Sequence, residues 1–315
     1  MGRPLRVQQQ DAVYFITNRC HQQRFFLVPS RAVNAIILGC LCRAALEHGI
    51  VVYGYVFMSN HFHLLVGAPG LNLGEFMRDF QSMLAREING LRDRTGHFWE
   101  GRYKSEHVLD DESMIERMVY MMANPTEAGL VEHPEKWPGV CSWDAHRSGG
   151  EVTGQHLLKK EYRRYRQTHP DSDETFEEVR ANWEQATFTL QLARLPVWRD
   201  VDDDTYVERL RELVDAECDR IRRDRKTRRK DFLGARGVRA QHWNRRPKTI
   251  ERSPQPLCHS CDPQKRAEHR EMIATVTGLY RRAMKKLREG TPRQKARVSF
   301  PHGTYPPGRL CCVGA

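Results

Sequence analysis

The pattern of apolar residues over 12–127 predicts an α+β fold: an antiparallel sheet with helices packed on one or both faces. Three observations carry this. Short runs rich in β-branched and aromatic residues alternate with longer stripes of helical period. The runs 50–58 and 61–68 are separated only by Ser59-Asn60, the spacing of a hairpin. Capping and stop residues stand at the ends of the helical stripes.

The elements follow in order. Residues 12–18, AVYFITN, read as a strand. Residues 31–48 read as an apolar helix with Ser30 as N-cap and Gly49 just beyond its end. Residues 50–58, IVVYGYVFM, are apolar almost throughout, as a central buried strand would be. HFHLLVGA is its hairpin neighbour. Asn72 is placed to cap a long helix, with Glu75 at the capping-box position. That helix carries a stripe of Phe76, Met77, Phe80, Met83, Leu84, Ile88 and Leu91. RTGHFWEGRY reads as a turn and KSEHVL as a short strand. A last helix starts at Asp110 or Asp111 and is expected to stop at Pro125, because a residue before proline resists the α conformation.

Composition narrows the class. The 315 residues are 39% hydrophobic and 29% charged, and no apolar run approaches the ~20 residues a bilayer span needs. The start, MGRPLRVQQQ, lacks the apolar core of a signal peptide, so a cytoplasmic, nucleoid-associated protein is expected. The nine cysteines, odd in number and irregularly spaced, then read as thiols. Net charge is +11, carried unevenly: residues 1–150 hold 15 Lys+Arg against 16 Asp+Glu, and residues 151–315 hold the other 36 and 24. A basic balance favours polyanion partners, nucleic acid first.

Beyond residue 150 the texture changes, and three segments are expected: a domain over 1–150, a charged helical extension over 151–242, and a third part over 243–315. The stretch 155–230 is charged and helical in pattern and ends in RRDRKTRRKD. The third part comprises a Pro/Arg-rich linker (243–256), a basic helix opened by Asp262-Pro263 and a disordered tail of about 25 residues.

The chemistry concentrates in two segments. On a strand, His61 and His63 project to one face while Phe62 and Leu64 go to the other. Paired imidazoles at this spacing suit one divalent metal, although His-x-His also arises on ordinary exposed strands. In the helix over 111–124, Met114, Ile115, Met118, Val119 and Met122 share one side. Tyr120 and Asn124 fall on the opposite side, one turn apart, near Ser113 and Arg117. Two imidazoles and the Asn124 amide oxygen make a modest site for Mg²⁺ or Mn²⁺ beside a phenol.

MSNHFHLLV, SMLAREIN, FWEGRYKS and YMMANPTEAGLV, in this order and spacing, resemble the single-tyrosine HUH transposases, and among them the REP-associated tyrosine transposases. The resemblance covers roughly residues 8–145. It implies the ferredoxin-like HUH fold, His61, His63 and Asn124 as metal ligands and Tyr120 as nucleophile. It further implies cleavage and rejoining of single-stranded DNA through a 5′-phosphotyrosine, with no ATP, at hairpin sequences. Tyr103, in GRYKS, is the alternative nucleophile. Ser59 stands where relatives usually have proline, and Glu127 where they often carry a basic residue.

Arg78, Gln81, Arg86, Arg102 and Lys104 are candidate phosphate contacts, and Phe98 and Trp99 candidate platforms for an unpaired base. Cys258 and Cys261 form half of a zinc pattern without a second pair at the usual distance. The expected partner is single-stranded or hairpin DNA, not a membrane; monomer and dimer both stay open. The rival reading is a non-catalytic single-strand or hairpin-binding protein descended from such an enzyme. An unrelated metallohydrolase would need a carboxylate motif such as H-E-x-x-H, which does not occur.

Overall fold

Strand β1 (Val13–Arg19) is the axis of a five-stranded sheet. The computed structural model describes residues 5–157, 167–168, 178, 185–247 and 256–307. The strands β2 (Val51–Phe57), β3 (His61–Gly67), β1, β4 (Lys104–Val108) and β7 (Cys258–His259) lie in that order. The first four are antiparallel, as expected; β7 adds a short parallel strand on β4.

β2 is an edge strand rather than the central one its composition suggests. It is apolar because its edge is covered. Phe57 and Ser142 make backbone bonds across it, Phe57 N to Val140 O and Ser142 N to Tyr55 O, and Ala193 N donates to Val52 O. A covered edge has no exposed ladder and can be apolar on both faces.

Helices α1 (Arg31–His48) and α2 (Leu73–Leu91) pack on one face of the sheet. α1 is capped as predicted: Ser30 Oγ accepts from Val33 N, and Gly49 takes the left-handed conformation with φ +60°. The α2 start differs from its prediction. Asn72 makes no capping bond and Glu75 forms no capping box. Instead Leu73 N donates to Gln8 Oε1 and Gly74 N to the Tyr305 hydroxyl, which in turn donates to Glu75. The chain's two ends therefore satisfy the orphan amides of this helix. The tail expected to be disordered is thus held in place as far as residue 307: Gln8 N also bonds Gly303 O, and Tyr280 donates to Tyr305 O.

On the other face lies α3 (Asp111–Glu127), capped by Asp110. Pro125 does not stop it. The ring forfeits one backbone bond, but Pro125 and Thr126 are buried and Ala128 N still closes the turn on Asn124 O. Packing outweighs the local preference.

Residues 151–157 and 185–191 are strands β5 (Glu151–Leu157) and β6 (Gln185–Gln191), not the start of a helix. The alternation in EVTGQHL, which buries Val152, Gly154 and His156, is the strand signal. After a short helix α4 (Trp143–Arg147), this hairpin lies directly against α1. A Cβ on Gly39 would sit 2.1 Å from Gln155 O, and one on Gly154 2.4 Å from Leu38 O. Among the described residues that follow, the helices are α5 (Asp203–Thr227), α6 (Gly234–Arg239), α7 (Pro263–Glu289) and α8 (Pro292–Lys295). The buried stripe of α5, Tyr206, Leu210, Val214, Cys218 and Ile221, shares one core with Met114, Met118, Met121 and Met122 of α3. Of the linker, residues 243–247 pack near Phe25 and Phe26; residues 248–255 lie outside the described part, as do most of 158–184 and the last eight.

Candidate active site

The β1–β3 register pairs Thr17 with His63 and Arg19 with His61. Both imidazoles therefore project toward α3, while Phe62 and Leu64 enter the core under α1 and α2, as the alternation predicts. The two rings stand 5.1 Å apart and nearly perpendicular. Each is held by its Nδ1: His63 by Thr17 Oγ1 at 2.8 Å and His61 by Asn60 Oδ1 at 2.7 Å. An Nδ1–H given to Asn60 Oδ1 leaves the His61 Nε2 lone pair available, the arrangement found around ligand histidines. Phe15 stacks on His63 and fixes its plane.

α3 brings Tyr120 to this pair. Its ring lies 5.6 Å from His63 and 6.1 Å from Phe15, and it is 37% exposed. Asn124, one turn on, is buried, and its Oδ1 has no hydrogen-bond partner. It approaches closely enough to act on both His61 and Tyr120. Burial, and then Arg19, pushes His61 down to about 4. Burial, followed by His61, Arg19, Arg117 and Lys104, holds His63 well below the usual range. Both rings are neutral at pH 7, the form that donates to a metal. Burial raises the Tyr120 phenol; the Arg117 guanidinium, 5.1 Å from its ring, works against that. Two neutral imidazoles and an orphaned amide oxygen on one surface fit a divalent cation, with three cations beside it to receive a phosphate.

The structure brings His61, His63, Tyr120 and Asn124 together, with Lys104 on the same sheet face. Tyr103 belongs to the other face. It is buried in the α1–α2 core under the Arg6 guanidinium and lines a cavity of about 330 Å³ with Tyr14, His107, His269 and Tyr305. Arg78 and Arg86 are exposed on α2, also on the far side, and Arg78 pairs with Asp79. Gln81 is half-buried there, its carbonyl accepting from Trp99 Nε1. Arg102 is exposed at the cavity. Phe98 is buried and Trp99 packs on Phe62 and Phe98, so both serve the core rather than a base.

Sequence reasoning missed Thr17, Asn60 and Phe15, which orient the ligand candidates, because strand register is not written in one strand. It also missed Glu106, which pairs with His259 at 2.8 Å where β7 joins the sheet. Of the two candidate zinc thiols, Cys258 is buried, and Cys261 is exposed beside Ser113, Glu116 and Asp110. Glu127 is matched by Arg220 of α5 at 3.7 Å.

Residues 13–121, about a third of the chain, match the family described as Transposase IS200 like. The match is confined to this segment, which holds the sheet strands β1–β4, α2 and most of α3, and with them His61, His63 and Tyr120. A solved structure described as the REP-associated tyrosine transposase bound to a REP hairpin is similar at 14% identity and a TM-score of 0.42; the match covers 48% of this chain and 87% of that one. No curated protein matches. Among the described residues, no helix is long and apolar enough to cross a membrane.

Proposed function

We propose that the protein cleaves and rejoins single-stranded DNA through a covalent bond to Tyr120, at hairpin-forming sequences of the kind REP-associated tyrosine transposases act on. The observation that carries this is the convergence of Tyr120 and the orphaned Asn124 Oδ1 on the His61–His63 pair. The IS200-like family match supports the same reading.

The Tyr120 oxygen attacks phosphorus. A Tyr–O–P bond forms, the P–O3′ bond breaks, and the phenolic proton passes to solvent as the 3′ oxygen leaves and is protonated. The 5′ phosphate stays on the enzyme as a diester of unchanged bond type, so a second 3′-OH reverses the step without ATP. Tyr120 enters as a neutral phenol, since burial raises its pKa. Arg117 favours its ionised form and, with Arg19 and Lys104, supplies positive charge where the phosphate would lie. His61, His63 and Asn124 would hold a divalent metal, Mg²⁺ or Mn²⁺, which when bound supplies polarisation of a phosphate oxygen.

The test is incubation of the full chain with hairpin-bearing single-stranded oligonucleotides and Mn²⁺, read on a denaturing gel. A protein–DNA adduct that needs Tyr120 and is lost in excess EDTA is expected. Tight hairpin binding with no adduct from any oligonucleotide would favour the non-catalytic binder instead.

A further inference from the structure

The C-terminal end of α7 and the short α8 carry a cationic surface that the proposed reaction does not use. Residues 281–297, RRAMKKLREGTPRQKAR, hold eight Lys+Arg against one acid, Glu289, and all nine of these side chains are exposed. Among the described residues, only Lys285 of the eight meets an acid, Glu289 Oε2 at 3.8 Å. The other Arg/Lys run, 222–230, differs because acids are interleaved with it. Arg222 pairs with Asp219, Arg228 pairs with Asp224 at 3.0 Å, and Arg225 donates to Asp231 O. A surface of one sign, without interleaved acids, is the one that draws a polyanion.

The fold holds this surface outward. On its inner side α7 buries His269 and Ala283, and Tyr280 donates to Tyr305 O and packs against Phe300. At about 3.6 residues per turn the cations fall opposite that side. Arg281, Lys285 and Arg288 form one row, and Arg282 and Lys286 form a second, roughly 100° round the helix. α8, opened by the Thr291–Gln294 capping box, adds Arg293 and Lys295, with Arg297 just beyond. Tyr305 also accepts from Gly74 N, which ties this part of the chain to α2, on the sheet face opposite His61 and His63. The surface lies outside the segment 13–121 that matches the transposase family.

The chemistry of the surface selects its partner. A helix that lies on a membrane buries an apolar face in the lipid, and the apolar side of α7 is already packed against Phe300 and the Tyr305 segment. Single-stranded nucleic acid is held by aromatic rings that stack its bases, and residues 281–297 contain no aromatic residue. Five of the eight cations are arginines, whose planar forks match phosphate oxygens. Two rows flanking one helix face suit the two phosphate ridges that border a duplex groove. We propose that residues 281–297 grip the phosphate backbone of duplex DNA, without reading its sequence, at a surface separate from the Tyr120 site.

The test titrates the full chain with a blunt duplex of arbitrary sequence, in EDTA, at several salt concentrations between about 50 and 200 mM. A variant combining Arg281→Gln, Arg282→Gln, Lys286→Gln and Arg288→Gln should bind at least roughly tenfold more weakly, with a salt slope shallower by about 3 to 4. A second variant removes the same charge elsewhere, by Arg223→Gln, Lys226→Gln, Arg229→Gln and Lys230→Gln, and should stay within about twofold of the wild type. Wild-type affinity in the first variant overturns the proposal. Equal losses in both assign the affinity to net charge and overturn it too. So does tighter binding of oligo-dT than of the duplex, or a variant that releases phosphatidylserine vesicles while keeping the duplex. Lysine acetylation of the wild type, with and without duplex, does not depend on any variant folding. Bound duplex must protect Lys285, Lys286 and Lys295, and unchanged labelling is equally fatal. Because every readout is binding to an uncut duplex, none depends on whether Tyr120 cleaves DNA.

Discussion

The two faces of the central sheet are made by alternate residues of the same strands and have opposite characters. Toward α1 and α2 the strands send Tyr14, Ile16, Phe62 and Leu64, all buried among the aromatics of α2. Toward α3 they send Phe15, Thr17, His61, His63 and Lys104. The first face is closed by packing. The second is apolar at one end, where the α3 methionines meet α5, and polar at the other, where Tyr120 reaches solvent and Asn124 Oδ1 lacks a partner. The first face is built of packed apolar side chains, and the second leaves a phenol at the surface beside two imidazoles and an amide.

The largest effect should come from removing what closes the second face. A chain ending at residue 150 uncovers the α3 core that Tyr206, Leu210, Val214 and Ile221 bury. It also loses Tyr305 from the start of α2. We expect it to be recovered unfolded or aggregated; a soluble fragment with a cooperative melt would make the extension an appendage instead.

Tyr120→Phe should abolish the DNA adduct yet leave stability within about 0.5 kcal/mol, since the hydroxyl packs against nothing that the fold requires. His63→Ala should likewise lose cleavage, as should the wild type in excess EDTA. Adduct formation by Tyr120→Phe, lost in Tyr103→Phe, would transfer the chemistry to the other face.

Acid should weaken the fold through its buried imidazoles. Burial pushes His107 and His146 down to about 4, from an ordinary value near 6.5. The unfolded chain then takes up protons first as pH falls. The stability is complete above about 6.5 and is lost on the way down to 4, by an amount on the order of 3 kcal/mol for each group. Urea midpoints at pH 7 and pH 4.5 measure this. His146 bonds Tyr53 O and the Tyr206 hydroxyl, and His146→Gln should flatten the slope. A midpoint independent of pH would mean that neither ring stays buried.

The smallest effect belongs to Glu127. Its pair with Arg220 is more than half exposed and should be worth under about 1 kcal/mol. Glu127 also raises the Tyr120 phenol. Glu127→Gln should therefore leave the melting temperature nearly unchanged and shift the pH profile of adduct formation to lower pH. A shift to higher pH would break the proposed electrostatic link.

The sequence by itself determined the order of strands and helices over residues 12–127, the two caps of α1 and the N-cap of α3, and the alternation that puts His61 and His63 on one face. These depend on local periodicity and on residues a few positions apart. Asn124 lies one helical turn from Tyr120, so that half of the site was legible too. Only the tertiary structure decided what depends on distant residues. Thr17 meets His63 through strand register. Pro125 stays helical because α5 packs against its turn, and β2 tolerates an edge because residues 140–142 and 193 cover it. The start of α2 is satisfied by Gln8 and Tyr305, which lie 65 and 231 residues from their partners. Local rules fail at these places because each local preference is worth about 1 kcal/mol, and one well-packed contact from far along the chain outweighs it.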